Sequence, residues 1–291
     1  LSRRQRQMCI RDRRLALQYV SLYHITFLIG APTVIDMLCR IQETNPRDIS
    51  SLHGIVLMGS PLDKEPCKRY MKVLTPNIFN GYGTTETFWN VFLSPYDLPD
   101  KAGYAGGACT DDDVRVVRVD TTKHVSPDEL VPMDKETVGE VVIFAPNKST
   151  FAYYDNPKTT EEKFHNGWLY TGDLATWDEH AYITIIGRKD DMIVSAGENI
   201  YPVQVESILN EHPKVAESLV FGIPDPKRGS VIAALIRPSD PSLTEKEMKQ
   251  FCMNHPMLAP YKRPRIFRFV KELPHNATGK LLHKLPPDFK F

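Results

Sequence analysis

The feature that most constrains this chain is an alternation of short apolar runs with amphipathic stretches, starting at Ile25 and ending in a glycine- and hydroxyl-rich loop. Ile25–Ile29 is a compact apolar run. Pro32 suits a first helical turn, and Val34, Ile35, Leu38 and Ile41 then fall on one helical face. Gly54–Met58 reads as a buried strand, Leu62–Leu74 as a helix and Asn77–Asn80 as a third strand. Such alternation argues for parallel strands with covering helices, and these sheets bind ligands at the carboxyl ends of their strands. Gly81-Tyr82-Gly83-Thr84-Thr85-Glu86 therefore sits where a ligand would sit.

Beyond Gly103 the texture changes to strands separated by turns: Val114–Val119, Val138–Ala145 and Tyr182–Ile186. A second change falls at Gly187-Arg188-Lys189-Asp190-Asp191. After it, Pro202–Asn210 reads as a helix stopped by His212-Pro213, and Val215–Ile223 and Val231–Arg237 as strands. A helix spans Leu243–Asn254, with Thr244 and Glu247 at capping-box spacing, and Arg265–Val270 is a last strand. The expected class is α/β: part of a large domain over 15–189, made of a parallel α/β sheet and a β-rich subdomain, then a small α+β domain over 190–291. Residues 1–14 are arginine-rich without apolar periodicity. They read as a segment foreign to the fold, of the kind that translated sequencing-adapter read-through produces.

Composition removes several function classes. Thirty-six Lys plus Arg balance 36 Asp plus Glu, so the basic excess of a nucleic-acid binder is missing. No apolar run approaches the ~18 residues of a membrane span. The five cysteines are odd in number and form no Cys-x-x-Cys pair, which fits a reducing compartment. Cytoplasm or mitochondrial matrix is the expected location.

Three motifs carry chemistry. Tyr82 can stack on a base, Thr84 and Thr85 can donate to a phosphate, and Glu86 can bind Mg²⁺, a hard cation that takes oxygen ligands and phosphates together. A decorated turn would look the same in isolation. In Trp168-Leu169-Tyr170-Thr171-Gly172-Asp173, a carboxylate after glycine can accept both hydroxyls of a ribose, although Gly-Asp is also a commonplace turn. Thr278-Gly279-Lys280 is no phosphate loop, because Pro274 stands where glycine is needed and Leu281 where Ser or Thr is needed. What remains is a lysine that is either a solvated surface charge or a point charge for a developing anion.

Taken in order, the motifs resemble the adenylate-forming superfamily, which holds acyl-CoA synthetases, firefly luciferases and peptide-synthetase adenylation domains. The pieces are Gly-Ser-Pro-Leu at 59–62, Gly-Tyr-Gly-Thr-Thr-Glu-Thr at 81–87, Gly-Glu at 139–140 and Gly-Trp-Leu-Tyr-Thr-Gly-Asp at 167–173. The series continues with Gly-Arg-Lys-Asp-Asp-Met-Ile-Val-Ser-Ala-Gly-Glu-Asn-Ile-Tyr-Pro at 187–202, Leu-Ala-Pro-Tyr-Lys at 258–262 and Leu-Pro-His-Asn-Ala-Thr-Gly-Lys at 273–280.

The resemblance implies a ligase that joins a carboxylic acid to ATP as an acyl-adenylate and then passes the acyl group to coenzyme A. It implies that Gly59, Ser60 and Pro61 line an adenine slot, with Gly81, Tyr82, Gly83 and Thr84 beside it. Thr85 should hold the α-phosphate, Glu86 Mg²⁺, and Asp173 and Arg188 the ribose. Lys280 matches the catalytic lysine and Asp190 the hinge about which the small domain turns. Ser195, Ala196 and Gly197 match the loop along the coenzyme A tunnel. Ser-Ala-Gly-Glu-Asn-Ile-Tyr-Pro resembles the acyl-CoA ligase branch more than the peptide-synthetase one. The superfamily's Ser/Thr/Gly-rich phosphate loop has no counterpart in these residues, so the chain is expected to be an incomplete ligase that adenylates poorly alone. A non-catalytic nucleotide- or CoA-binding remnant and a peptide-synthetase-type domain are the alternatives.

Overall fold

The expected strand–helix alternation is realised in a computed structural model that describes residues 13–275 and 281–283. Helix α1 (Arg13–Tyr23) leads into β1 (Phe27–Gly30), α2 (Pro32–Thr44), β2 (Gly54–Met58), α3 (Lys64–Val73) and β3 (Ile78–Thr84). Pro32 stands in the first turn of α2, and Ile35 and Leu38 are buried on its inner face. Strands β1, β2 and β3 pair in parallel, with Ile29 opposite Val56 and Met58 opposite Gly81. The chain then turns back as β4 (Phe88–Leu93), antiparallel to β3, and β5 (Gly107–Ala108) completes a five-stranded sheet in sequential order.

The two faces of this sheet differ. Leu28, Ile55, Leu57 and Ile78 join Leu17, Ile35, Leu38 and Tyr70 of the helices in one apolar core. On the opposite face Phe27 and Ile29 are 51% and 62% exposed, and Met58 is exposed beside them. Parallel strands usually have both faces covered, which is why they read as continuous apolar runs.

The β-rich part follows as β6 (Asp113–Val117), β7 (Gly139–Phe144), α4 (Pro157–Lys163), β8 (Phe164–His165), β9 (Trp168–Trp177) and β10 (Ile183–Arg188). Its sheet runs β10-β9-β7-β6, with β8 paired to β9. Val114, Val116, Val141, Ile143, Leu169, Ala175 and Trp177 form its core. The chain clusters into two compact units, the first ending at Thr171 but regaining Ala175–Ile185, the second holding Gly172–Leu174 and everything from Ile186.

The second unit continues through a 3-10 turn (Lys189–Asp191), β11 (Ile193–Ser195), β12 (Glu198–Ile200), α5 (Pro202–Asn210), β13 (Val215–Asp225), β14 (Gly229–Pro238), α6 (Glu245–Asn254) and β15 (Ile266–Phe269). β13 and β14 are antiparallel, and β15 joins β14 in parallel. Val220, Ile232, Ala234 and Ile236 pack on Val205, Leu209, Met248 and Cys252. Leu219, Phe221, Ala233 and Leu235, on the other face, pack with Leu273 and Leu281. This sheet is covered on both sides. Thr244 caps α6 as its spacing with Glu247 predicts, its hydroxyl accepting from the Glu247 N–H at 3.2 Å.

Two motif segments are strands where turns were expected. Gly81–Thr84 belongs to β3, with a bulge between Tyr82 and Gly83. A Cβ at Gly83 would lie 1.8 Å from the Phe88 carbonyl oxygen, so only glycine lets β4 close over β3. Gly172-Asp173 lies within β9, where Gly172 takes φ 73° between the buried residues Thr171 and Leu174. Among the described residues no helix is long and apolar enough to cross a membrane.

Candidate active site

The pairing of Met58 with Gly81 brings the carboxyl ends of β2 and β3 together. Gly59-Ser60-Pro61 leaves β2 at that edge and is exposed, with Gly59 at φ 84°. Tyr82 is half-buried on the neighbouring strand, and Thr85 is exposed at the tip of the turn that follows. The first unit thus places Gly59–Pro61 and Gly81–Glu86, nominated separately from sequence, along one sheet edge.

Behind the turn runs a chain of buried polar contacts. Thr84 Oγ1 and Thr87 Oγ1 are 2.9 Å apart. Thr87 Oγ1 donates to Asn90 Oδ1 at 2.7 Å, and Asn90 Nδ2 donates to Asp112 Oδ2 at 2.9 Å. Lys148 Nζ donates to the same Asp112 oxygen at 2.6 Å and to the Trp89 carbonyl at 2.7 Å.

Glu86 is half-buried, and the Tyr153 hydroxyl donates to its Oε1. Burial pushes the Glu86 carboxyl up, but hydrogen bonds from Tyr153, its own backbone N–H and Thr84 outweigh it and hold the group below the ordinary carboxylate range. An ionised carboxylate of this kind is a hard oxygen donor. Among the described residues no three His, Cys, Asp or Glu side chains gather into a metal cage. One carboxylate with substrate phosphates is a donor set that Mg²⁺ accepts, because it keeps several waters.

In the second unit Arg188 Nη1 donates to Asp173 Oδ1 at 2.7 Å, joining the two residues assigned to a ribose. Asp190 is exposed in the 3-10 turn just beyond β10, and its Oδ2 lies 3.9 Å from Arg188 Nη2. Ser195 pairs with Glu198, so Ala196 and Gly197 form a two-residue hairpin turn with φ of 52° and 86°. Ser195 Oγ donates to the Ser230 carbonyl at 2.6 Å, and Ala196 N–H to the Arg228 carbonyl at 2.7 Å. A Cβ on Gly197 would meet nothing within 4 Å, so its backbone faces open space. Lys280 lies outside the described residues; two positions on, the Leu282 N–H donates to the Pro274 carbonyl at 2.9 Å.

Sequence reasoning missed Tyr153, Asn90, Asp112 and Lys148. Asp112 sits in the run Asp111-Asp112-Asp113, which reads as a solvated acidic patch, yet its side chain is 1% exposed. Tyr153 precedes Asn156-Pro157, a helix start that was there to be seen, but nothing local links it to Glu86.

The sequence profile of the AMP-binding enzyme family matches residues 4–154, and that of the AMP-binding enzyme C-terminal domain matches residues 204–280. A long-chain-fatty-acid–CoA ligase of Escherichia coli O157:H7 is 32% identical over 262 residues, covering 90% of this chain and 45% of the relative. A 2-succinylbenzoate–CoA ligase of Bacillus cereus is 37% identical over 251 residues, 86% of this chain and 48% of the relative. Among solved structures, the o-succinylbenzoate CoA synthetase of Bacillus subtilis with its acyl-adenylate intermediate superposes with a TM-score of 0.79 at 31% identity. That match covers 96% of this chain and 54% of the other. The chain spans about half the length of these relatives. With both profiles matched and the motif order anticipated from sequence, the chain belongs to the AMP-binding, adenylate-forming enzyme family.

Proposed function

We propose that this chain is part of an AMP-forming acyl-CoA ligase acting on a fatty or aryl carboxylic acid. ATP and the acid give an acyl-adenylate and pyrophosphate, and the thiol of coenzyme A then displaces AMP. Tyr82 stacks on adenine beside the backbone of Gly59–Pro61. Asp173, oriented by Arg188, accepts from the ribose hydroxyls. Thr85 donates to the α-phosphate, and Glu86 holds Mg²⁺, whose bound charge would neutralise the phosphates. Lys280 steadies the attacking carboxylate. In the same reading residues 190–291 are the small mobile domain, Asp190 is its hinge, and the Ser195–Gly197 hairpin borders the pantetheine path.

The observation that carries this reading is the β3–β4 turn. It sets an exposed hydroxyl and an ionised carboxylate, supported by three hydrogen bonds, at the carboxyl edge of the parallel strands. The decisive test is thioester formation over a panel of fatty and aryl acids with ATP, Mg²⁺ and coenzyme A. Asp173→Ala is expected to weaken ATP binding about tenfold or more, as loss of a charge-assisted hydrogen bond does. Unchanged binding in that variant would remove the ribose assignment.

A further inference from the structure

The contacts behind the β3–β4 turn have a fixed direction. Asp112 Oδ2 is a carboxylate oxygen and can only accept, so Asn90 must turn its amide nitrogen towards it. The same nitrogen donates to the Thr87 carbonyl at 3.2 Å, so both of its neighbours are acceptors and the amide has one permitted orientation. Asn90 Oδ1 then faces Thr87 and takes its only hydroxyl proton. With that proton committed, Thr87 Oγ1 can only accept from Thr84 Oγ1, 2.9 Å away. Thr84 has a second protein acceptor within reach in the Glu86 carboxylate. Either way its proton points into the protein.

Thr87 and Asn90 are fully buried, so water cannot substitute for a wrong partner. At the far end Lys148 Nζ holds Asp112 Oδ2 at 2.6 Å, and the Lys148 side chain is itself only partly exposed.

We propose that Asp112 is a positioning residue whose carboxylate sets the direction of the Asn90–Thr87–Thr84 chain, leaving Thr85 as the hydroxyl of this turn that is free to donate to a phosphate. The inference rests on the reading of the turn as the phosphate-binding element. Thr84 braces the turn, and Thr85 contacts the ligand. In Asp112→Ala the Asn90 amide nitrogen loses one of the two acceptors that orient it, and the protons on Thr87 and Thr84 lose the anchor of their direction, whereas in Asp112→Asn Lys148 holds the amide oxygen towards Asn90 and the direction is kept.

The test uses the 291-residue chain and ATP with Mg²⁺ as the probe, read by titration calorimetry with thermal unfolding measured in parallel. Asp112→Ala is expected to weaken ATP binding about tenfold, the scale of one misdirected buried hydrogen bond. Asp112→Asn keeps an acceptor oxygen between Lys148 and Asn90 and is expected to bind within about twofold of the parent, a rescue by the conservative variant that general destabilisation would not produce. Wild-type affinity in Asp112→Ala, or an Asp112→Asn protein that melts like the parent yet binds no better than Asp112→Ala, would overturn the proposal. If Asp112→Ala does not fold, Asn90→Leu, which removes the acceptor for the Thr87 proton, decides in its place: parent-like binding would overturn the proposal. Thr85→Val separates the two layers of the argument: if it binds ATP like the parent, the phosphate reading of the turn falls, and this inference with it.

Discussion

The sheet of the first unit and the sheet of the second are built from similar residues and finished differently. In β13–β14, Ile236 and Leu235 point to opposite faces and both are buried, one under α5 and α6, the other with Leu273 and Leu281. In β1–β2, Leu57 is buried while Ile29 on the opposite face stands 62% exposed. Apolar content is therefore no guide to cover. What differs is whether the described chain supplies a second layer. Burial at roughly 25 cal/mol per Å² rewards the covered face and leaves the open one as a liability for association.

The contrast can be broken most sharply by truncation on the two faces. Leu57→Ala is expected to cost about 2–5 kcal/mol, as buried leucine deletions do, whereas Ile29→Ala should fall within about 0.5 kcal/mol of the parent. Urea unfolding of the two variants decides, and a cost above about 2 kcal/mol for Ile29→Ala would mean that its face is covered in solution. Leu235→Ala should resemble Leu57→Ala.

Thiol labelling sharpens the same contrast. Burial pushes the Cys39 and Cys67 thiols of the first unit, and the Cys252 thiol of the second, up to about 11. At pH 8 all three should resist a thiol reagent in the native protein. In sub-denaturing urea Cys39 and Cys67 are expected to react before Cys252, because the one-sided sheet has less cooperative cover. Equal rates followed by mass spectrometry would make the two units equally stable.

A smaller effect is expected from Ile29→Lys, which should lower dye binding to exposed apolar surface and lower self-association without moving the urea midpoint. The smallest is expected from Ala196→Gly. Ala196 holds φ 52° in the β11–β12 turn, a region where glycine carries no Cβ penalty. A gain of about a few tenths of a kcal/mol in stability, read as a small rise in the thermal midpoint, is expected, and a loss would show that the Ala196 methyl group packs usefully.

The fold was legible where one element declares itself by its own period. Pro202–Asn210 begins at a proline and ends before His212-Pro213, and Thr244 announces the start of α6 three residues ahead of Glu247. β4 and β9 were not legible. Phe-Trp-Asn-Val-Phe-Leu shows no clean alternation, and Thr-Gly-Asp within β9 imitates a turn because the strand absorbs a left-handed glycine. The site divided along the same line. Residues that the family resemblance assigns to one role stand together, as Asp173 and Arg188 do across β9 and β10. Tyr153, 67 residues beyond Glu86, and Asp112, 22 beyond Asn90, are supports delivered by the fold, and no window of sequence contains both partners.

Gly83 limits what mutagenesis of this loop can teach. Its hydrogen lies against the Phe88 carbonyl with no room for a methyl group, whether or not any ligand is bound. An inactive Gly83→Ala protein would report a broken hairpin and say nothing about phosphate. A glycine demanded by a neighbouring strand and one demanded by a nucleotide leave the same letter in the sequence. Gly59 can tell them apart: a Cβ there would meet nothing within 4 Å, so a defect in its variants beyond the cost of its left-handed backbone would belong to the ligand.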